Sequence, residues 1–259
     1  MKLKRIGIIG CGAIGTQIAE YIQAELKNRA RIAAICDVDS KKAISLSKKI
    51  KHRPFITKID ELIKKVDLII ESASANISGH IAEKAVLLKK DVLIMSTGGL
   101  LDKANLIENY RNIHIPSGAI CGLDGLKSAM VGRIKSLTLT TRKPLKGLAG
   151  SPYLKKRGIN LDKIKKETLL FSWNARQAIR YFPQNINVAV TLSIYGIGPD
   201  RTKVRIFTSP EYKRNIHEVE VVGEFGRLVT RTENVPSRAN PKTSQLAIFS
   251  AIAKLKEIL

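Results

Sequence analysis

Residues 7–15 read "GIIGCGAIG" and follow "MKLKR" almost at once. Ile6, Ile8 and Ile9 form the short apolar run of a buried strand, and Ile14, Ile18, Ile22 and Leu26 recur four apart, as one face of a helix does. The glycines therefore fall at a strand-to-helix turn. Gly10 suits the tight turn, Gly12 lets backbone approach a pyrophosphate, and Gly15 lets the helix pack close against the strand. At the helix start the N–H groups of Ala13, Ile14 and Gly15, with the helix dipole, attract the anion. A second strand, "RIAAIC", leads into Asp37, 22 positions after Gly15. A carboxylate there accepts hydrogen bonds from an adenosine ribose and repels a 2′-phosphate. A tight turn and a surface acid explain the pieces singly; strand, helix, strand and acid in this order point to a dinucleotide. NAD is the expected cofactor, with NADP also possible because Lys41 and Lys42, just beyond Asp37, can screen a 2′-phosphate.

Outward from this turn, residues 1–120 alternate strand and helix patterns. "VDLIIE" and "KDVLIM" are apolar strand runs, and "SGHIAEKAVLLKK" and "DKANLIENYRN" are helical. Such alternation predicts a doubly wound parallel sheet of Rossmann type, with ligands along the loops "ESASANISG" and "STGGLLD" at its carboxyl edge. After "SGAICGLDG" the pattern changes. "IKSLTLTTR" and "TKVRIFT" alternate as strands, and "HEVEVVGEFGRLVTRTEN" reads as two strands joined around Gly223 to Gly226. "NARQAIRYF" and "NVAVTLSIYGIG" are helical. Residues 121–239 are thus expected to form an α+β substrate domain with a mixed or antiparallel sheet. Residues 240–259 are expected to be a helix returning to the first domain, capped by Asn240 with Pro241 at its first position and Leu246, Phe249, Ile252, Ala253 and Leu255 or Ile258 as its apolar stripe.

The 259 residues are 44% hydrophobic, which fits a folded chain of two modest domains. No run of about 18 apolar residues is present, so a membrane span is not expected. The first strand begins so early that no signal peptide fits before it, and the cytoplasm is the expected location. Cys11, Cys36 and Cys121 match neither a disulfide framework nor zinc spacing, so no metal is expected; Cys11 and Cys36 read as small apolar filler. The net charge of +23 raises the alternative of a dinucleotide-sensing nucleic-acid-binding protein. Its lysines and arginines, however, are spread from Lys2 to Lys256 without an arginine-rich arm or a known recognition signature, which favours a solvated surface that draws in anionic small molecules.

The series "GIIGCGAIG", "CDVDSKKA", "ESAS", "STGGLLD", "SGAICGLDGL", "FPQNINVAVTLSIYGIG", "NIHEVEVVGEFG" and "NPKTS" resembles the L-aspartate dehydrogenase family in content and order, from end to end. The resemblance implies NAD(P)-dependent oxidative deamination of L-aspartate through iminoaspartate, which passes to quinolinate synthesis, handed to quinolinate synthase, or hydrolyses to oxaloacetate. A homodimer is expected. The resemblance places a catalytic histidine at His217, a cofactor-contacting asparagine at Asn187, and a further cofactor contact at Ala119 or Cys121. Two positions depart from the family pattern: Cys121 stands where alanine is expected, and Ser209, before Pro210, where aspartate is expected. Homoserine dehydrogenase and dihydrodipicolinate reductase share the two-domain plan but account less well for "NINVAV" with "NPKTS".

The chemistry asks for a histidine independently. Hydride removal from Cα needs a neutral amine, and imine hydrolysis needs an activated water, so a base with a pKa near 7 serves both. His52, His80 and His114 lie in the cofactor half, and His217 alone lies in the substrate half. A partly exposed histidine on a strand edge is the plainer alternative. Aspartate's two carboxylates call for cations or N–H donors. Lys242, Thr243 and Ser244 at the start of the last helix would make an anion trap, although simple capping explains the same residues. Asn185 and Asn187 can bridge cofactor and substrate through their amides, or cap the helix that begins near Val188.

Overall fold

A computed structural model describes residues 3–183 and 187–259, apart from the side chains of Ala104 and Lys242. The chain divides into two compact units: residues 1–116 with 248–259, and residues 117–247.

In the first unit the strands are β1 (Lys4–Ile9), β2 (Ala30–Cys36), β3 (Phe55–Ile56), β4 (Leu68–Glu71), β5 (Asp91–Ile94) and β6 (Ile113–His114). They pair in parallel in the order β3-β2-β1-β4-β5-β6. β1 and β4 are near-continuous apolar runs whose side chains are buried on both faces, as a sheet covered on both sides requires. The strands alternate with α1 (Ala13–Glu25), α2 (Ser40–Lys49), α3 (Ile59–Lys65), α4 (Ala75–Leu87) and α5 (Ala104–Asn109). α4 begins earlier than "SGHIAEKAVLLKK" suggests, so part of "ESASANISG" is helix and His80 lies well inside it. The strand order reverses at β1, and a doubly wound sheet binds its ligand at the carboxyl edge of that reversal.

In the second unit α6 (Leu123–Ala129) precedes β7 (Ile134–Pro144). α7 (Pro152–Arg157), β8 (Thr168–Asn174), α8 (Ala175–Tyr181), α9 (Asn187–Tyr195), β9 (Lys203–Ser209), β10 (Asn215–Gly223) and β11 (Gly226–Asn234) follow. The sheet order is β11-β10-β7-β9-β8; β7 and β9 are parallel and the other pairs antiparallel, so the sheet is mixed. One face packs against α6, α8 and α9 through Leu137, Leu139, Val204, Ile206, Val219 and Val221. The other carries charged side chains such as Arg142 and Glu218, paired at 3.5 Å.

Two expectations about the C-terminus are corrected. Residues 240–244 are extended: β13 (Asn240–Ser244) pairs with β12 (Pro236–Ser237), and α10 (Gln245–Ile258) begins only afterwards. Asn240 therefore does not cap it and Pro241 is not its first residue, because pairing with β12 holds the backbone straight. The buried stripe of α10 is Ile248, Ala251 and Leu255, while Leu246 and Phe249 are exposed. Ala251 and Leu255 join the core of the first unit with Ile6, Ile18 and Ile35.

Candidate active site

Between β1 and α1 the three glycines have separable reasons for being there. Gly10 has φ +97°, and a Cβ on it would lie 2.6 Å from the Ser72 backbone. A Cβ on Gly15 would lie 2.1 Å from the Gly10 carbonyl oxygen. Both are glycine because the protein leaves no room. Gly12 is different: its φ is −76° and nothing lies within 4 Å of where its Cβ would be. No protein atom demands a glycine at 12, and the bare, open backbone there is what a pyrophosphate needs. No side chain caps α1. Its first-turn N–H groups, including those of Ala13, Ile14 and Gly15, lie where an anion profits from the helix dipole.

Asp37, half-buried beyond β2, is drawn into this turn. Its Oδ2 accepts from the Cys11 N–H at 2.7 Å, and its Oδ1 accepts from the Asp39 N–H at 2.8 Å. The sequence-predicted residues of the first unit thus meet at one edge. Cys11 is buried as expected, and burial pushes its thiol up to about 12, so it stays protonated.

The sequence reading missed Glu71. This wholly buried last residue of β4 accepts from the N–H of Ala73 at 2.8 Å and of Ser96 at 2.9 Å, tying together the loops after β4 and β5. Burial raises its carboxyl above the usual range, opposed by those backbone donors. The available signal was an acid closing the otherwise apolar run "VDLIIE".

In the second unit His217 lies in β10, between β11 and β7, at 7% exposure. It is neither on an edge nor partly exposed. In register it faces Thr141 on β7 and Thr232 on β11. Its Nδ1 shares a hydrogen bond of 3.1 Å with Thr141 Oγ1, which fixes the ring plane. Lys143, two residues on from Thr141 and equally buried at 7%, was not singled out from the sequence. The signal was parity: Leu137, Leu139, Thr141 and Lys143 alternate onto the helix-covered face of β7.

Burial, reinforced by the charge of Lys143, pushes His217 down to about 3. This corrects the expectation of a base near 7. The imidazole is neutral throughout the physiological range. Burial also pulls the Lys143 ammonium down to about 8.

β11 places Thr230, Thr232 and Asn234 at alternate positions, and all three grip the segment before α6. Thr232 Oγ1 donates to the Ala119 carbonyl at 2.9 Å and Asn234 Nδ2 donates to it at 3.0 Å, while Thr230 Oγ1 donates to the Cys121 carbonyl at 3.1 Å. Thr232 Oγ1 is also 3.4 Å from the His217 carbonyl oxygen, so Ala119 and His217 belong to one network. Ser244 donates to Asn234 Oδ1 and joins them. Cys121 is exposed.

Asn187 is the exposed first residue of α9, and Ala189, two residues on, lines a small cavity with Thr141 and Lys143. Thr243 and Ser244 are strand residues, so the expected trap of helix-start N–H groups is not formed by Lys242, Thr243 and Ser244. The Lys242 side chain and all of Asn185 lie outside the described residues. Ser209, in place of the family's aspartate, is buried, and its Oγ accepts from the Glu211 N–H at 3.2 Å. It thus closes the turn as an aspartate side chain would. Among the described residues no group of His, Cys, Asp and Glu is arranged to hold a metal, and no helix is long and apolar enough to cross a membrane.

A parallel sheet with this strand order and glycine cradle defines an oxidoreductase class, a dehydrogenase that binds a nicotinamide dinucleotide through its first unit. Residues 10–112 match the family described as homoserine dehydrogenase, NAD binding domain, and residues 124–258 match aspartate dehydrogenase, C-terminal. The L-aspartate dehydrogenase of Methanosarcina mazei is 46% identical over 98% of this chain and 97% of its own length. That of Methanosarcina barkeri is 47% identical over the same shares. The crystal structure of aspartate dehydrogenase from Thermotoga maritima superposes with a TM-score of 0.74 at 25% identity, covering 99% of this chain and 97% of that one. The chain belongs to the L-aspartate dehydrogenase family.

Proposed function

We propose that the protein oxidises L-aspartate to iminoaspartate, with NAD preferred and NADP accepted. The observation that carries this reading is His217, held by Thr141 and buried beside Lys143, in a chain matched along its length by aspartate dehydrogenases. A nicotinamide bound by the chain would supply the hydride acceptor for Cα. Everything else falls to the chain. The backbone at Gly10, Gly12, Ala13, Ile14 and Gly15 receives the pyrophosphate, Asp37 reads the ribose, and Ala119 or Cys121 with Asn187 holds the nicotinamide end. His217 accepts the proton that the substrate ammonium must lose before Cα can give up hydride, and later the proton of the water that attacks the imine.

On the family resemblance, the proposal extends to a cytoplasmic homodimer whose iminoaspartate passes to quinolinate synthase or hydrolyses to oxaloacetate and ammonia. Steady-state NADH formation over a panel of amino acids tests the central claim. Turnover with L-aspartate above all others is expected. Turnover with homoserine and none with L-aspartate overturns it.

A further inference from the structure

Glu71 ends a strand whose other residues are apolar, and it is wholly buried, so it acts only through its neighbours. Its two carboxylate oxygens serve two different loops: Oε1 accepts from the Ala73 N–H at 2.8 Å and Oε2 from the Ser96 N–H at 2.9 Å. Each loop is also held elsewhere. Ser72 Oγ donates to the Gly10 carbonyl at 2.8 Å, which joins the loop after β4 to the glycine cradle. Ser78 Oγ, on α4, donates to the Ser96 carbonyl at 2.6 Å, and a Cβ on Gly99 would lie 2.2 Å from the Ala75 carbonyl oxygen. The residues after β5 are therefore pressed onto the start of α4. Cradle, first loop, carboxylate, second loop and helix form one connected piece.

A leucine at this position would continue the run Leu68–Ile70 and pack without the cost of burying a charge. What a carboxylate adds is two acceptors in one plane, which set the two loops against each other. That spacing matters because of where the loops lie. The pyrophosphate belongs at the turn after β1, and Asp37, after β2, takes the adenosine ribose on one side of the reversal in strand order. A dinucleotide crosses such a reversal, so its other half runs over the carboxyl ends of β4 and β5, where Glu71 is the clamp. We propose that Glu71 is a positioning residue for the nicotinamide half of the cofactor, holding the loops after β4 and β5 in the arrangement that receives it. This rests on the cofactor binding proposed above. Loops set in advance bind at full strength, whereas loops that must first be ordered lose affinity in proportion to how rarely they are in place. Saturating cofactor draws them back into place, and turnover returns.

The test uses the full-length protein with Glu71→Gln and Ser78→Ala, and Asp37→Ala as the control for the other half of the cofactor. A glutamine keeps the length of the side chain but has one acceptor oxygen, so one of the two loops is released. Calorimetry with ADP and with NADH separates the halves, since ADP carries only the adenosine and the pyrophosphate. For Glu71→Gln, NADH is expected to bind about tenfold more weakly and ADP within about twofold of the parent. In the steady state the KM for NAD should rise on the same scale, while kcat and the KM for L-aspartate stay within about threefold. Ser78→Ala removes the donor to the Ser96 carbonyl without disturbing the carboxylate, and should weaken NADH alone by about threefold. It decides by the same two affinities if Glu71→Gln does not fold. Asp37→Ala should weaken ADP and NADH together. Equal loss of ADP and NADH in Glu71→Gln overturns the proposal, because it marks a carboxylate that holds the whole unit together, and unchanged NADH binding overturns it too. If Asp37→Ala leaves ADP binding unchanged, the placement of the adenosine half is what fails, and the comparison of ADP with NADH in Glu71→Gln still decides which half the β4 and β5 loops receive.

Discussion

The first unit builds its site from backbone and the second builds its site from side chains. Around Gly10, Gly12 and Gly15 the chemistry lies in exposed N–H groups and in the absence of Cβ atoms, with side chains such as Asp37 and Ser72 only bracing the turn. Around His217 the chemistry lies in an imidazole, a hydroxyl and an ammonium contributed by two strands and buried under helices. A backbone site tolerates change wherever the main-chain path survives. A buried polar site depends on each group for the state of the next, as Lys143 and His217 show. Substitutions in the second unit should therefore act on turnover, and those in the first on stability and cofactor affinity.

The sharpest break is His217→Ala. Turnover is expected to fall by about two to four orders of magnitude while NAD affinity stays within a factor of about two, because the imidazole is needed in the transition state and not for docking the cofactor. Rapid-mixing kinetics with a binding titration separates the two, and an enzyme with full turnover would make His217 a bystander. Burial also sets a pH signature. With the folded imidazole pushed down to about 3 and an unfolded one near 6.5, the unfolded chain binds the extra proton between these values. Stability should decline as pH falls from about 6.5 towards 3, and the His217 ring resonances should not titrate between about pH 5 and 9. Ring titration near neutrality would show that the site is open to water.

Within the cradle, Gly10 and Gly12 should part company. Gly10→Ala forces a Cβ onto a positive φ and into the Ser72 backbone, and is expected to cost about 2–5 kcal/mol of folding stability. Gly12→Ala meets no protein atom, so the apo melting temperature should hardly move while NAD binding weakens about tenfold or more. Melting curves with and without NAD check both, and equal apo destabilisation would remove the distinction.

The same contrast explains what could be read from the sequence. A strand-to-helix turn imposes its stereochemistry on a few consecutive residues, so Gly10, Gly15 and the following acid are legible without any partner. His217 was reached because of the motif around it and the chemistry it serves. Its neighbours Thr141 and Lys143 lie 76 and 74 positions away, joined only by strand register, and no local pattern records that pairing. Glu71 escaped for a related reason: its value comes from donors at Ala73 and Ser96, on two different loops. The misreading of residues 240–244 shows propensity losing to pairing. Asn-Pro before an apolar run is a good helix start, yet β12 claims the segment as a strand.

A smaller effect is expected at Asp37. Asp37→Ala should narrow the ratio of kcat/KM for NAD over NADP by about tenfold, since the carboxylate that repels a 2′-phosphate is gone while Lys41 and Lys42 remain. Because Asp37 also accepts from Cys11, some loss of affinity for both cofactors should accompany it. An unchanged ratio would show that the acid holds the turn without reading the ribose.

The smallest effect belongs at the opposite end of the same sheet, where no ligand is proposed. Arg5 grips Asp67 with two N–H bonds, at 2.7 and 3.1 Å, and its backbone N–H adds a third at 2.9 Å. These hold the carboxyl down to about 2, against about 3.9 in an unfolded chain. A folded pKa lowered in this way adds stability that is complete above about pH 4 and is lost as pH falls towards 2, where the carboxylate takes up its proton. The pair is about one-third exposed, so solvent screening reduces its worth to about 1 kcal/mol. Asp67→Asn should lower the melting temperature slightly at pH 7, by nothing measurable near pH 2, and leave NAD affinity and turnover untouched. A change in NAD affinity with this variant would mean that the two ends of the sheet are coupled, and that the backbone cradle is less self-contained than its own hydrogen bonds make it.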